Sequence, residues 1–207
     1  MFCDLVRRCA ALTEQQAAAL ERHYELMCRW NRVLNLTRVE KLEEAVERHY
    51  GEALFLAERL PRVAGLRVAD IGSGAGFPGF PVAVARPEFA VTLIESHQRK
   101  AVFLREASRG VGNVRVLAKR AEDVEEPFDW LISRAVSYGE LDGVVRRSGA
   151  RLALLGGIKE PPEAWGREWD VMAVPGGKHR FLRVSRETRE KEWNLGSPVS
   201  PDLCRSK

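Results

Sequence analysis

The stretch DIGSGAGFPGFP at residues 70–81 decides the fold of this 207-residue chain. It joins the apolar run LRVADIG at 66–72 to FPGFPVAVARP at 77–87, so a buried strand turns tightly into a helix that Pro87 ends. A unit of strand, glycine loop and helix is typical of a doubly wound α/β domain, which binds its ligands at the carboxyl ends of the strands. The stretch therefore predicts both the class of fold and the location of a site.

Strands and helices alternate along the residues that follow. Short apolar runs are followed by amphipathic runs of helical length, the pattern of parallel βαβ units. The predicted strands after the first are 90–96, 113–119, 128–135 and 150–157, the predicted helices are 98–110 and 138–147, and 169–175 with 179–186 form a hairpin around Gly176-Gly177. We expect a seven-stranded, mostly parallel, Rossmann-like sheet with an antiparallel edge.

Helices are predicted before the first strand as well. Residues 13–31 have helical spacing of apolar side chains with Thr13 as N-cap, and a second helical stretch spans 40–60. We therefore divide the chain into an N-terminal helical cap packed on the same core, a main domain and a polar tail that we expect to be poorly ordered. The bounds are 1–62 for the cap, 63–186 for the main domain and 187–207 for the tail.

Charge and composition are those of an ordinary globular protein with a slight basic excess. The net charge is +4, and residues 61–110 carry 7 basic against 4 acidic side chains. This distribution favours folded RNA as the partner over a disordered basic arm. No apolar run is long enough to span a bilayer, no secretion signal is recognisable and no cysteine lies in a CxxC pair. We expect a cytoplasmic protein without a metal.

The spacing of the glycines indicates which cofactor the loop binds. Dinucleotide-binding loops have the pattern GxGxxG, but Phe77 stands where the third glycine would be. The pattern present is GxGxG, formed by Gly72, Gly74 and Gly76, and it is the form found in S-adenosylmethionine enzymes. Glu95 at the end of the second strand is placed to accept hydrogen bonds from ribose hydroxyls. A packing turn or another nucleotide site is the alternative for the loop taken alone.

Two further positions complete the predicted cofactor site. Ala121 and Glu122 follow the third strand and are placed to flank the adenine. Arg134 ends the fourth strand, where it would bind the cofactor carboxylate, a phosphate or guanine O6. The structural alternative for Arg134 is an ion pair with a neighbouring acid such as Glu122.

The residues also limit the methyl acceptor. The Asn/Asp-Pro-Pro-aromatic loop that serves exocyclic amines is missing after the fourth strand, and no cysteine lies between residues 29 and 203 to attack a pyrimidine ring. An atom with an available lone pair, such as guanine N7, remains. It needs no general base, so we expect Arg134 to act in catalysis by positioning alone.

Several motifs together resemble the RsmG (GidB) family of small-subunit ribosomal RNA methyltransferases. They are WN at 30–31, NLT at 35–37, RH at 48–49, DIGSGAGFPGFP at 70–81, LIES at 93–96, Lys100 with FL at 103–104, RAED at 120–123 and FDWLISRAV at 128–136. The resemblance covers about residues 20–157. It implies a class I S-adenosylmethionine-dependent fold and transfer of a methyl group to guanine N7 of nucleotide 527 in 16S ribosomal RNA.

The resemblance also implies site residues, and it has two departures. Gly72, Phe77, Ala121, Glu122 and Arg134 match the family's cofactor contacts, while His49 and Asn35 match family positions that packing or capping explains equally well. This chain has Glu52-Ala53 where the family has an aspartate-serine pair, and it lacks the family's basic closing segment.

Three functions remain open at this point. The first is a monomeric methyltransferase acting on 16S ribosomal RNA or on a precursor of the small subunit. The second is an enzyme of the same fold that modifies another RNA or a small molecule. The third is a catalytically inactive RNA-binding assembly factor that retains the fold.

Overall fold

In a computed structural model that describes residues 1–39 and 41–186, the chain folds around one seven-stranded sheet. The strand order is β3-β2-β1-β4-β5-β7-β6, and β7 runs antiparallel to both of its neighbours. The strands are β1 Arg67–Ile71, β2 Ala90–Ile94, β3 Val114–Leu117, β4 Trp130–Arg134, β5 Arg151–Gly156, β6 Trp169–Ala173 and β7 Phe181–Ser185. The predicted parallel sheet with an antiparallel hairpin at its edge is confirmed.

Helices cover both faces of the sheet. Those before β1 are α1 Phe2–Arg7, α2 Glu14–Leu34, α3 Leu42–Ala45 and α4 Glu52–Ala57, and those between the strands are α5 Gly79–Ala85, α6 Gln98–Ala107 and α7 Tyr138–Arg147. One apolar cluster joins α1, α2, α4, α5 and α6 to one face, and a second joins α7 to the other. The N-terminal helices thus share a core with the sheet. The three-part division of the chain stays a prediction.

Helix α2 begins as its sequence predicts. Thr13 accepts a hydrogen bond from the backbone N–H of Gln16, whose side chain accepts one from the N–H of Thr13 in return. The helix ends at Leu34 rather than at 31, because Asn35 adopts a left-handed conformation with φ of 46° and closes the last turn.

Other boundaries differ from the prediction. The stretch 40–60 is not one regular helix, because a π-helical segment, Val46–Gly51, separates α3 from α4. Helix α5 begins at Gly79 rather than at 77, since the glycine loop extends that far. Helix α1 was not predicted. The tail 187–207 lies outside the described residues.

Candidate active site

The glycine loop lies between β1 and α5, at the carboxyl edge of the parallel strands. Gly72, Gly74 and Gly76 have φ angles of 69°, 56° and 93°, which side chains rarely adopt. A Cβ on Gly72 would lie 2.6 Å from Cγ2 of Val136, while one on Gly74 would meet only the Gly72 carbonyl oxygen at 3.9 Å. The loop is therefore closed against the end of β4 at Gly72 and open at Gly74.

Glu95, just after β2, joins this loop. Its Oε2 accepts a hydrogen bond from the N–H of Gly74 at 2.8 Å, and its Oε1 accepts one from the N–H of His97 at 2.8 Å. The side chain is 7% exposed. Two backbone donors thus fix the carboxylate beside the open part of the glycine loop, and the ribose contact of Glu95 stays a prediction.

Asp70, the acid of β1, binds the end of the glycine loop. Its Oδ2 accepts a hydrogen bond from the N–H of Gly79 at 2.9 Å, whereas its Oδ1 has no partner among the described residues. Burial raises the pKa of Asp70 to about 7. Asp70 therefore ties the start of α5 to β1, and its protonation state is balanced near neutral pH.

Two buried residues of the N-terminal helices hold the loop from the other side. Nε2 of His23 donates to the carbonyl oxygen of Ala75 at 2.9 Å, because that oxygen can only accept. Nδ1 therefore accepts from the hydroxyl of Tyr50 at 2.7 Å. Burial lowers the pKa of His23 to about 4, so the ring is neutral. His23 was not predicted as a site residue, although it lies one helical turn after Leu20 on the buried face of α2.

Arg134 belongs to a cluster of polar side chains that joins β4 to α4 and the β6–β7 hairpin. Its Nε donates to Glu52 at 3.0 Å, and its Nη1 donates to Nδ1 of His49 at 2.9 Å. Arg180 donates to both carboxylate oxygens of Glu52, at 3.0 and 2.8 Å. The proposed structural partner Glu122 is wrong. The acid is Glu52, which tertiary structure brings to Arg134 across 82 residues of the chain.

His49 is a neutral link in that cluster. Since Nη1 of Arg134 can only donate, Nδ1 of His49 accepts, and Nε2 carries the proton that it donates to Oγ1 of Thr37 at 2.7 Å. Burial, with the charge of Arg134, lowers the pKa of His49 to about 3. His49 therefore belongs to the cluster of Arg134, whereas Asn35 is the C-cap of α2.

The remaining predicted residues lie on two sides of the loop. Phe77 is buried, with its ring centroid 4.9 Å from that of His49 and 5.0 Å from that of Tyr50, so its side chain faces the N-terminal helices. Ala121 and Glu122 form a 3-10 turn after β3 and line a cavity of about 610 Å³. Ile71 and Ile94, the last residues of β1 and β2, line the same cavity.

The part of the chain that the structure describes has neither a metal-binding cluster nor a membrane-spanning helix. No group of three or more His, Cys, Asp or Glu side chains is arranged there to hold a metal ion. No helix within residues 1–39 and 41–186 combines the length and the apolar character that crossing a bilayer requires.

Solved structures with the same architecture identify the fold. An S-adenosylmethionine-dependent methyltransferase from Aquifex aeolicus superposes with a TM-score of 0.54 at 19% identity, covering 69% of this chain and 92% of that one. The magnesium protoporphyrin IX methyltransferase of Synechocystis PCC 6803, with bound SAH, gives 0.58 at 14% identity, covering 81% and 98%. The seven-stranded sheet of this chain therefore has the fold of class I S-adenosylmethionine-dependent methyltransferases.

Sequence comparison identifies the family. The family model described as rRNA small subunit methyltransferase G matches residues 16–149, and the chain belongs to that family. The ribosomal RNA small subunit methyltransferase G of Xanthomonas campestris pv. campestris (strain B100) is 39% identical over 165 residues, which are 78% of this chain and 75% of that protein. The protein of the same name from Nitrosospira multiformis is 44% identical over 143 residues, 67% of this chain and 64% of that one.

Proposed function

We propose that this protein transfers a methyl group from S-adenosylmethionine to N7 of the guanine at nucleotide 527 of 16S ribosomal RNA. The observation that carries the proposal is the carboxylate of Glu95, bound to the N–H of Gly74 at the open part of the glycine loop. This arrangement suits a ligand whose ribose hydroxyls bind Glu95 while its narrow methionine part lies along the glycine loop. Membership of the family supplies ribosomal RNA as the class of acceptor.

The residues present fit the cofactor. The backbone of Gly72, Gly74 and Gly76 would hold the methionine part, since the space above Gly74 admits close approach. Glu95 would accept hydrogen bonds from the ribose, because each of its oxygens retains a lone pair beyond the one that a backbone N–H uses.

The other cofactor contacts follow from the cavity and from the cluster around Arg134. Ala121 and Glu122 would flank the adenine in the cavity that they share with the ends of β1 and β2. Phe77 would contribute its backbone, because its ring is buried against the N-terminal helices. Arg134 would close the site and orient the acceptor with the N–H groups that Glu52 and His49 leave free.

The chemistry of the site supports an acceptor that needs no base. Both ring nitrogens of His23 and both of His49 are engaged in hydrogen bonds, and the low pKa of each ring reflects its burial. Guanine N7 offers a lone pair without a proton to remove. Holding that lone pair in line with the methyl group is worth on the order of 7–11 kcal/mol, so positioning supplies the catalysis.

We further propose that the protein acts in the cytoplasm as a monomer on 16S ribosomal RNA or on a precursor of the small subunit. Two exposed cations near the cluster of Arg134 support an RNA partner there: Lys159, and Arg48, which is paired with Glu44. The number of exposed cations near this cluster is modest. The RNA contacts are therefore expected to contribute a shallow salt dependence of binding.

Mapping the modified nucleotide tests the function. Ribosomal RNA from a strain without this gene, and from the same strain carrying the gene on a plasmid, would be reduced with borohydride and cleaved with aniline at N7-methylguanosine. Primer extension should stop at nucleotide 527 only when the gene is present. A stop at another guanine would replace the proposed target, and methylation of transfer RNA or of a small molecule alone would exclude ribosomal RNA. Failure of the protein to bind S-adenosylmethionine in a calorimeter would indicate an inactive assembly factor.

A further inference from the structure

The outer faces of α2 and α6 together form an exposed surface that is rich in arginine. Trp30 of α2 contacts Phe103 in the middle of α6, with ring centroids 5.9 Å apart, and Arg22 lines a groove together with Gly110, beyond the end of α6. The two helices therefore lie antiparallel, side by side. The exposed arginines on this surface, which we call the α2–α6 surface, are Arg22, Arg29, Arg99, Arg105 and Arg109.

The arginines of α2 lie along the contact between the two helices. Arg22 and Arg29 are seven residues apart, so they share one face of the helix. Each stands one position before an aromatic residue, His23 or Trp30, whose ring contacts Phe103 of α6. Both guanidinium groups therefore lie at the border of α2 with α6.

The arginines of α6 form a row that begins beside the glycine loop. Arg99 lies two residues after His97, whose N–H binds Glu95. Arg109 follows the other end of the helix, which is ten residues and about 15 Å long. The α2–α6 surface thus extends from the carboxyl edge of the sheet towards its amino edge.

None of the five arginines forms an ion pair with another residue of 1–39 or 41–186. Two acids stand within one helical turn of them, Glu25 between the arginines of α2 and Glu106 next to Arg105, and neither is paired with an arginine in this described part of the chain. The surface therefore has an excess of three positive charges, and its guanidinium groups are not engaged by carboxylates.

Exposed arginines on other parts of the molecule differ in this respect. Several of them bind carboxylates at 2.8 Å, so their charge is neutralised where it stands. These pairs are Arg67 with Asp129, Arg146 with Asp142 and Arg186 with Asp170. The distribution of unpaired arginine, rather than the net charge of the chain, distinguishes the α2–α6 surface.

We propose that the α2–α6 surface binds the phosphate backbone of RNA outside the nucleotide that is modified. This inference rests on the proposed function, since it names the surface that would hold the rest of the substrate. A guanidinium binds phosphate oxygens with two parallel N–H groups, and an unpaired one does so without losing a carboxylate. Because the cations near Arg134 are few, most of the salt dependence of RNA binding would come from this surface.

An anionic membrane is the other large polyanion that a basic surface can meet. A helix that lies on a membrane inserts an apolar face between the lipids. The apolar side chains of these two helices are already buried in the protein core, among them Leu26, Phe103 and Leu104, and their exposed large apolar residues are Val33 and Val102. The α2–α6 surface therefore lacks an apolar face for insertion, which favours RNA.

Removal of the arginines on α6 tests the proposal. A variant with Arg99→Ala, Arg105→Ala and Arg109→Ala would be titrated against a fluorescein-labelled RNA duplex at several potassium chloride concentrations. We expect the affinity to fall by about 10-fold or more, and the slope of log K against log salt concentration to decrease by about 2–3, since each phosphate contact contributes roughly one unit. The melting temperature should change little, because the described structure gives these side chains no ion-pair partner.

The matched control removes the same number of charges from paired positions. A variant with Arg67→Ala, Arg146→Ala and Arg186→Ala should bind the duplex with the affinity and the salt slope of the wild type. A second variant, Arg22→Ala with Arg29→Ala, tests the α2 half of the surface independently. Its salt slope should decrease by about 1–2.

The outcomes separate this proposal from the proposed function. Equal salt slopes for the wild type and the α6 variant, or equal losses of affinity in the α6 variant and the control, would overturn the α2–α6 surface as an RNA site. Wild-type protein that binds phosphatidylglycerol vesicles and not the duplex would overturn it in favour of a membrane. A wild type whose duplex binding depends on these arginines, but which leaves ribosomal RNA unmethylated, would retain the surface and overturn the function.

Discussion

Arg134 has a structural and a functional interpretation, and the two predict different effects of a substitution on activity and stability. It makes one ion pair with buried Glu52 and one hydrogen bond with His49, so it contributes to stability at the same point where it would face the ligands. Glu52 retains a second partner, since Arg180 binds both of its oxygens. Loss of Arg134 therefore leaves no buried carboxylate unpaired in this described cluster.

For Arg134→Ala we expect a decrease in methylation rate of roughly 10- to 100-fold, because the acceptor would lose an orienting group. The free energy of unfolding should fall by about 1–3 kcal/mol, the value of hydrogen bonds to charged groups. Single-turnover methylation and urea denaturation measure the two effects. Arg115→Ala is the control, since its ion pair with Glu126 is exposed and should contribute less than about 1 kcal/mol. A loss of activity no larger than the loss of folded protein would leave Arg134 only its structural role.

Gly74 is the residue at which the glycine loop is open. Gly74→Asp would put a carboxylate into the open space beside Glu95, whose Oε2 already accepts from the N–H of residue 74. We expect cofactor affinity to fall by at least about 100-fold, since the added carboxylate would repel the carboxylate of the methionine part that the glycine loop is proposed to hold. The loss of stability should be smaller, because only the Gly72 carbonyl oxygen lies within 4 Å of a Cβ there and aspartate tolerates a left-handed backbone.

Gly74→Asn is the control for Gly74→Asp. Asparagine has the same shape, carries no charge and tolerates a left-handed backbone. Calorimetric binding of S-adenosylmethionine that survives in Gly74→Asp would mean that the loop does not hold the cofactor.

At the scale of elements, the contact between β1 and α5 decides how the loop is shaped. Gly79 begins α5 and donates its N–H to Asp70 in β1. A Cβ on Gly79 would lie 2.6 Å from Cβ of Asp70 and 2.7 Å from its Oδ2. Helix and strand can approach this closely only because residue 79 has no side chain.

Gly79→Ala should therefore reduce the free energy of unfolding by about 1–3 kcal/mol, the usual cost of overpacking a core. Gly139→Ala is its counterpart in the first turn of α7, where a Cβ meets nothing within 4 Å. There the substitution should be neutral or stabilise by up to about 1 kcal/mol, since alanine is the better helix former. Urea unfolding of both variants checks the contrast. Equal effects would show that close packing at Gly79 is unimportant.

At the scale of the whole molecule, the pH dependence of the free energy of unfolding reports how tightly the N-terminal helices are packed on the sheet. Burial lowers the pKa of His23 from its ordinary 6.5 to about 4 in the folded protein. Below pH 6.5 the unfolded chain takes up a proton at this residue, and the folded protein does not until about pH 4. The stability that neutral His23 contributes is thus complete above pH 6.5 and is lost as the pH falls towards 4.

We expect this loss to amount to about 3 kcal/mol in the wild type, from the difference between the two pKa values. In His23→Gln, which keeps a donor for Ala75 and an acceptor for Tyr50, the free energy of unfolding should fall less steeply between pH 6.5 and 4. Urea denaturation of both proteins at several pH values gives the difference and cancels other groups, such as His49 and the opposing Asp70. Parallel curves would mean that His23 is accessible to water in the folded state.

Much of this architecture follows from local sequence. Apolar runs with alternating strand and helix periods determined the parallel sheet, and the glycine spacing at 72, 74 and 76 determined the bend after β1, because backbone geometry there depends on the residues themselves. Glu95 could be chosen as a candidate from the sequence for a related reason: the end of β2 must lie beside the end of β1, where the glycine loop begins.

The partners of the functional side chains were decided by tertiary structure alone. His23 binds the loop across 52 residues, and Glu52 binds Arg134 across 82 and Arg180 across 128. The periodicity of the sequence does not predict such pairs, because they form only when the N-terminal helices, β4 and the hairpin pack at one edge of the sheet. The sequence by itself therefore determined the fold and the glycine loop, whereas the polar cluster around Arg134 exists only through the packing of distant elements.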